Sequence, residues 1–547
     1  MKARNSSSRL SAAVGSLSHL VLSSLALLIG DASAQELSRG PYLQQGAPTS
    51  MVIRWRTTKP SETRLMYRAS SDSKQMLHHS AALTTDHEVR LTGLSAQTRY
   101  YYTIVANSKL LAGDDAEYSF VTSPNGGDQP TAIWLLGDAG KSGRLPQGED
   151  PSQASVRDAF LKIHPARDLD FIVMLGDNAY NIGSDDQYQR GFFEPYRSIL
   201  GSKVTWPTQG NHDHSSQAYY KVYSLPTRGE SGGVPSGTEQ HYSFDHGNAH
   251  FISLNSEIRE PAARAAMIRW LRRDLAANNK PWTIVFWHHP PYSKGHHDSD
   301  DLNDSGGRMA WMRESIVPII DAAGVDLVFT GHSHSYERSK YISRYYFTAN
   351  EFDEKYVVEQ GDGNGDAASA YTKRSLSKDP HSGTVYVTAG SAGMTAPGSL
   401  NHPAMVVSKE KLGSVFLRID GNEAIATMVG ADGETEDSFT IRKEPGRPRG
   451  VTDLSPTLNA KGCGVTLAWQ KVPTALSYIV YRSSTLEERG DEIGRVGNGT
   501  LQFTDNQVNT AGGSVWYSVR ASNDLGLGPW GSSVVVSGIP SSCSPST

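Results

Sequence analysis

Cysteine is nearly absent, with Cys463 and Cys543 the two thiols in 547 residues. Two cysteines so far apart do not make a metal site, so any metal must be held by His, Asp, Asn or Tyr. In an exported chain a disulfide between them is allowed, and the even count favours it. Charge of one sign is also scarce. A formal net charge of −5, with 20% charged residues, excludes a protein built to coat nucleic acid. Long apolar runs are missing after the first few dozen residues, so no membrane span is expected in the mature chain. What remains is ordinary for a folded protein, since 37% of residues are hydrophobic, too many for a disordered chain.

The first 34 residues read as a leader. Lys2, Arg4 and Arg9 make a basic start, Val21 to Leu28 form an apolar stretch, and Ala32-Ser33-Ala34 supplies a small-x-small cleavage pattern. Serines 11, 16, 18, 23 and 24 and His19 interrupt the run that a membrane anchor would need. The expectation is a secreted or periplasmic protein, and the leader does not separate these two.

Beyond the leader, three blocks are separated by Gly- and Pro-rich joints at 123–130 and 444–450. The first, 35–123, alternates in short strands such as Met51–Arg56, Glu88–Leu91 and Tyr100–Val105, with Trp55 and Tyr100 expected in its core. The second, 131–443, alternates apolar runs with helical stretches. The runs are Thr131–Leu136, Asp170–Leu175, Lys203–Pro207, Trp282–Trp287 and Val325–Thr330. On the helical stretch Ala262–Ala277, Met267, Trp270, Leu271 and Leu275 share one face. This alternation predicts an α/β sheet covered by helices. The polar stretch from about 350 to 380 reads as an insertion or surface loop. The third block, 448–540, returns to short strands, among them Val465–Trp469, Tyr478–Tyr481 and Val515–Ala521. The segment Leu91–Tyr100 resembles the turn-and-tyrosine corner of fibronectin type III domains, with Ala96 where proline is usual. The phrase from Ala521 to Ser532 resembles the end of another such domain.

Ligand-type residues gather at the ends of the apolar runs of the middle block. The segments are Gly137-Asp-Ala-Gly140, Gly176-Asp-Asn-Ala-Tyr180, Gly210-Asn-His-Asp213, Val285 to Tyr292 with His288 and His289, and Gly331-His-Ser-His334. Loops at the carboxyl ends of strands are where ligands collect in α/β sheets. A single Gly-Asp after a strand is usually a turn, but five such loops in one block are hard to explain as turns. A carboxylate at the end of a buried strand is costly unless a cation or donor compensates it. On an extended stretch, His332 and His334 would point to one side and Ser333 away. Asp177 has two oxygens with which to bridge two ions. Tyr180 offers a hard, anionic phenolate suited to Fe(III).

The order GDxG, GDxxY, GNH(D/E), VxxH and GHxH resembles that of the purple acid phosphatases, within the wider metallophosphoesterases. The first block also resembles the fibronectin-like domain preceding the catalytic domain in the large plant-type enzymes. The resemblance implies a multidomain fold. An all-β fibronectin III-like sandwich comes first, then an α-β-β-α metallophosphoesterase sandwich, then an all-β fibronectin III sandwich. It implies that Asp138, Asp177, Tyr180 and His334 hold a first metal, and that Asp177, Asn211, His288 and His332 hold a second. The implied cofactor is a dinuclear centre of Fe(III) plus a divalent Fe, Zn or Mn. Two metals can grip phosphate oxygens and acidify a bound water into the attacking hydroxide. His212 matches the family's substrate-side histidine, and His296 and His297 resemble the pair that contacts phosphate. With ordinary histidine values these three would be cationic and able to donate under mildly acidic conditions. His289 is expected in a supporting role, and Asp298, Asp300, Asp301 and Asp304 on a solvated surface.

The implied function is hydrolysis of phosphate monoesters on a phosphorylated small molecule. A phosphodiesterase, or a nucleotide-directed hydrolase, would use the same metals and differ in pocket walls. From another class, a surface-attachment protein could keep a decayed phosphatase scaffold between two sandwiches. Intact ligand positions disfavour that reading. The C-terminal block leaves a surface or polymer partner open.

Overall fold

The computed structural model describes residues 35–540 apart from 114, 142–149, 215–216, 365–368, 374–379, 444–447, 449, 452, 460–463, 473–474, 487–489, 509–512 and 524–525. The leader and the Cys463–Cys543 pair lie outside the described residues. Within them, no helix is long and apolar enough to cross a membrane.

Runs of β-branched and aromatic residues form the strands, which pair into five sheets among the described residues. The first block is all antiparallel, built around the 20-residue strand Ser50–Ala69. Trp55 and Tyr100 are buried in its core, as expected, and the Tyr100 hydroxyl accepts a hydrogen bond from Ser95 N at 2.9 Å. Arg39 and Arg56 both reach Asp185 of the middle block, at 2.9 and 2.6 Å.

The middle block holds two sheets face to face. In one, the parallel strands Thr131–Leu136, Phe171–Met174 and Val204–Pro207 end in register, Leu136 opposite Met174 and Met174 opposite Pro207. In the other, Ala249–Ser253, Trp282–Phe286, Leu327–Thr330 and Val385–Ala389 run parallel. Ile133, Leu135, Ile284, Phe286, Leu327 and Phe329 belong to one core between the sheets. Alternation along each strand sends Val285 and Val328 the other way, against Met267, Trp270 and Leu271 of helix Pro261–Ala277. That helix begins at Pro261, with the Glu260 side chain accepting from Ala263 N at 2.7 Å. On the far face of the first sheet, Trp134 stacks on Phe160 of helix Pro151–Ile163 with ring centres 4.4 Å apart. The layers are therefore α-β-β-α.

The third block has its own core, including Val465, Leu467, Tyr478, Tyr517 and Val519, between a three-stranded and a five-stranded antiparallel sheet. This is the expected sandwich. The stretch from 350 to 380 differs from a plain surface loop. Val357–Glu359 pairs with Tyr341–Ile342, and Tyr371–Lys373 extends the edge of the first sheet.

Lys373 is buried because of a partner that sequence could not supply. It lies 2.7 Å from Asp326, which also lies 2.8 Å from Lys443. Asp326 opens strand Leu327–Thr330 of one sheet, while Lys373 and Lys443 end strands of the other. The triad ties the two sheets at the end opposite the ligand-bearing loops. Burial pulls the Lys443 ammonium down to about 8, opposed by Asp326. Asp326→Ala leaves two buried cations without their carboxylate, and is expected to cost about 3–5 kcal/mol in urea unfolding of the full chain. A loss below about 1 kcal/mol, the size of an exposed pair, would contradict this role.

Candidate metal centre

The matched strand ends bring five loops to one place. Across the first sheet, Leu175 N donates to Leu136 O at 2.7 Å, Asp138 N to Gly176 O at 3.1 Å and Gly140 N to Asp177 O at 3.1 Å. From the second sheet, Gly331 N donates to His288 O at 2.9 Å, and His288 Nδ1 reaches back to Leu175 O at 2.9 Å. Asp138, Asp177 and His332 all carry left-handed backbone, with φ of 59°, 53° and 69°. Such conformations in non-glycine residues persist only where surroundings impose them. Gly331 fits a similar constraint, since a Cβ there would come within 2.5 Å of Asp138 Oδ2.

All seven residues expected at the metals converge. Tyr180 Oη lies 3.1 Å from Asp138 Oδ1 and 3.5 Å from His334 Nε2, and His334 Nε2 lies 3.6 Å from Asp138 Oδ1. Beside this group, His288 Nε2 lies 3.0 Å from Asn211 Oδ1, 3.2 Å from His332 Nδ1 and 3.5 Å from Asp177 Oδ1. Asp138, Asp177 and His288 offer ligand atoms within 4.8 Å of one another, an arrangement that could hold a metal ion.

The segment carrying His332 and His334 is not the extended stretch that their spacing suggested. Ser333 N donates to Gly331 O at 2.8 Å and Ser335 N to Ser333 O at 2.7 Å, so the chain folds through successive tight turns. Ser333 Oγ still faces away, 2.9 Å from Ser293 Oγ.

The three histidines expected on the substrate side border the same centre. His212 Nδ1 bonds Asn181 O at 2.6 Å, its ring packs 4.4 Å from that of Tyr180, and Nε2 is 3.8 Å from Asp177 Oδ2. The His297 ring stacks on His332 at 3.9 Å, and the His296 ring on His334 at 4.7 Å. His296 departs from the cationic expectation, because burial, then His297 and His334, push it down to about 4. His289 is buried against Ser256 Oγ at 2.8 Å, with its ring 4.1 Å from that of His332.

Burial would push the Asp177 carboxyl up, but His288 and His212 hold it down at about 2. In return, against the opposing effect of burial, Asp177 and Asp138 lift His288 to about 10. A proton on His288 thus balances the carboxylates, a role that a metal cation can take over. The Tyr180 phenol is held well above its ordinary value by burial, Asp138 and Asp177, so only a strongly charged cation would ionise it.

Several contributors were not legible as such. Asp213 is fully buried and accepts from Tyr188 Oη at 2.6 Å, Gly210 N at 2.9 Å and Asn178 N at 3.0 Å, joining two of the five loops. Burial and Asp177 raise it to about 7. Glu337 accepts from Ser293 Oγ at 2.5 Å and Lys294 N at 3.0 Å, anchoring the loop that carries His296 and His297. The acidic cluster is not simply solvated surface. Asp300 lies 3.1 Å from Arg313 and 3.2 Å from Lys294, and Asp304 Oδ1 lies 2.7 Å from His297 Nδ1. The signal for Asp304 was its place seven residues after a candidate histidine; charge alone hid it.

Residues 131–336 match the calcineurin-like phosphoesterase family, and residues 39–122 match the purple acid phosphatase N-terminal domain. Among curated relatives, purple acid phosphatase 15 of Arabidopsis thaliana is 28% identical over 292 residues, 47% of this chain and 50% of that one. Acid phosphatase type 7 of Mus musculus is 26% identical over 356 residues, 58% of this chain and 74% of that one. The chain thus spans about half the length of the first of these relatives and three quarters of the second. Of solved structures, purple acid phosphatase PPD1 from seeds of yellow lupin, Lupinus luteus, shares the fold. It has a TM-score of 0.57 and 16% identity, covering 74% of this chain and 75% of that one. Two family models that abut across the joint at 123–130 thus identify the first block as a purple acid phosphatase N-terminal domain and the middle block as a calcineurin-like phosphoesterase domain.

Proposed function

We propose that the chain hydrolyses phosphate monoesters as an acid phosphatase with a dinuclear metal centre. The observation that carries this reading is Asp177 in contact with two donor groups, Tyr180 with Asp138 and His334 on one side and His288 with Asn211 and His332 on the other. One carboxylate serving both groups is what a shared pair of ions requires. The donors fit, because two carboxylates, a phenol, an amide and three imidazoles suit iron, zinc or manganese. Tyr180 favours Fe(III) in the first site, leaving divalent Fe, Zn or Mn for the second. When bound, such ions supply Lewis acidity towards phosphate and an acidified water.

The chain's own residues do the rest. His212 and His297 each commit Nδ1 to a fixed partner, Asn181 O at 2.6 Å and Asp304 Oδ1 at 2.7 Å, and so keep Nε2 for the substrate. Either Nε2, when protonated, can donate to a phosphate oxygen or a leaving alkoxide. His296, kept neutral, offers an N–H without a full charge. Export of the chain rests on the basic, apolar and small-x-small order of residues 1–34.

Gly210→Ala tests the ligand set without removing a ligand, since the added Cβ would strike Asp177 Oδ1. Metal content per chain is expected to fall, whereas Gly499→Ala, whose Cβ meets nothing within 4 Å, keeps it. Activity is tested with an aryl phosphate monoester and its diester across acidic to alkaline pH. The monoester is expected to turn over faster at mildly acidic pH, and Asp177→Asn to lose more than about 100-fold, beyond the cost of a supporting residue. Faster diester turnover throughout would sink the monoesterase reading.

A further inference from the structure

The loop after His297 does more than close the surface. Ser305 has φ 53° and ψ 18°, and Gly306 and Gly307 follow at φ 61° and 73°. Two glycines take this conformation freely, but a serine there is strained, because its Cβ crowds the following carbonyl oxygen. The side chain held in that position makes two short hydrogen bonds. Ser305 Oγ lies 2.6 Å from His332 Nε2 and 2.7 Å from Asp304 Oδ1. Asp304 Oδ1 also lies 2.7 Å from His297 Nδ1, and Asp304 Oδ2 accepts from Asp298 N at 2.9 Å.

The proton positions follow from the chemistry of these groups. His332 turns Nδ1 towards His288 Nε2, at 3.2 Å, where two ring nitrogens face a common point. If Nδ1 is the metal-facing atom, Nε2 must carry the proton and donate to Ser305 Oγ. Ser305 then has one hydrogen left, and the carboxylate of Asp304 takes it. Asp304 Oδ1 accepts a second bond from His297 Nδ1–H. The order is directed from both ends towards one carboxylate, His332 to Ser305 to Asp304, and His297 to Asp304. The rings it orients are themselves stacked, 3.9 Å apart and 17° from parallel.

We propose that Asp304 and Ser305 are positioning residues that together fix the tautomer and ring plane of His332 and His297. One carboxylate thereby sets a metal-side and a substrate-side imidazole at once. His297, Asp304 and His332 also offer ligand atoms within 4.8 Å of one another. Ser305 Oγ bridges Asp304 and His332, so this cluster is a hydrogen-bond relay and not a third ion site. The proposal rests on the dinuclear reading and adds residues that the reading does not need.

Ser305→Gly is the sharp variant, because glycine relieves the left-handed backbone while removing the hydroxyl. Holoprotein is dialysed against graded chelator, and metal per chain is counted by elemental analysis. Wild type is expected to release two ions. Ser305→Gly should release one of them at about 10–100-fold lower chelator, the effect of losing an outer partner of a ligand, with an unchanged or higher thermal midpoint. Asp304→Asn should weaken the same ion and also raise the inhibition constant of inorganic phosphate, through His297. Equal retention of both ions by wild type and Ser305→Gly overturns the relay and leaves the dinuclear reading intact. A third ion, lost in Asp304→Asn, also overturns the relay. Fewer than two ions in wild type overturns the dinuclear reading and the relay with it.

Discussion

Asp138 and Asp177 are 0% and 1% exposed at the ends of adjacent strands, and carboxylates so placed must be neutralised. Much of the middle block answers that constraint. His288 comes from the opposite sheet to share the charge, backbone donors from His332 and His212 reach the carboxylate oxygens at 2.7 and 2.9 Å, and Tyr180 adds its hydroxyl. A proton on His288 satisfies part of this demand, and two cations would satisfy all of it. Burial here is a cost in stability that bound cations would offset.

The architecture makes the cost sustainable. Parallel strands in register end at one level, so loops distant in sequence meet without long excursions. Small residues then allow close approach. A Cβ on Gly331 would press on Asp138, and one on Gly210 on Asp177. The far end of the sandwich carries its own compensated charge, the Lys373–Asp326–Lys443 triad, which keeps the sheets together where no site needs them apart. The N-terminal sandwich adds Arg39 and Arg56 to Asp185, a few residues after Tyr180 in the same loop region.

Much of this was legible in the order of residues. Apolar runs such as Thr131–Leu136 and Trp282–Phe286 mark buried strands because both faces are covered, and the Met267–Trp270–Leu271–Leu275 stripe marks the covering helix. The five loops were readable because Gly-Asp twice, then Asn-His, His-His and His-x-His once each, stand at strand ends. Less legible were residues whose meaning comes from a distant partner. Glu337 and Lys373 look like ordinary surface charges until tertiary contacts bury them, Asp304 takes its role from His297, and Asp213 reveals its partners only when Tyr188 and Asn178 close on it. The path of residues 331–335 differs from the expected extended one for a related reason. An alternating pattern implies an extended chain, whereas the left-handed His332 turns it.

The central claim is that these loops hold two metal ions, one of them bound by the Tyr180 phenolate. Elemental analysis and a visible spectrum of the purified holoprotein test it together. Two ions per chain are predicted, with a phenolate-to-Fe(III) absorption band that disappears in Tyr180→Phe. A protein that is fully active with one ion per chain, or with none, would contradict the account.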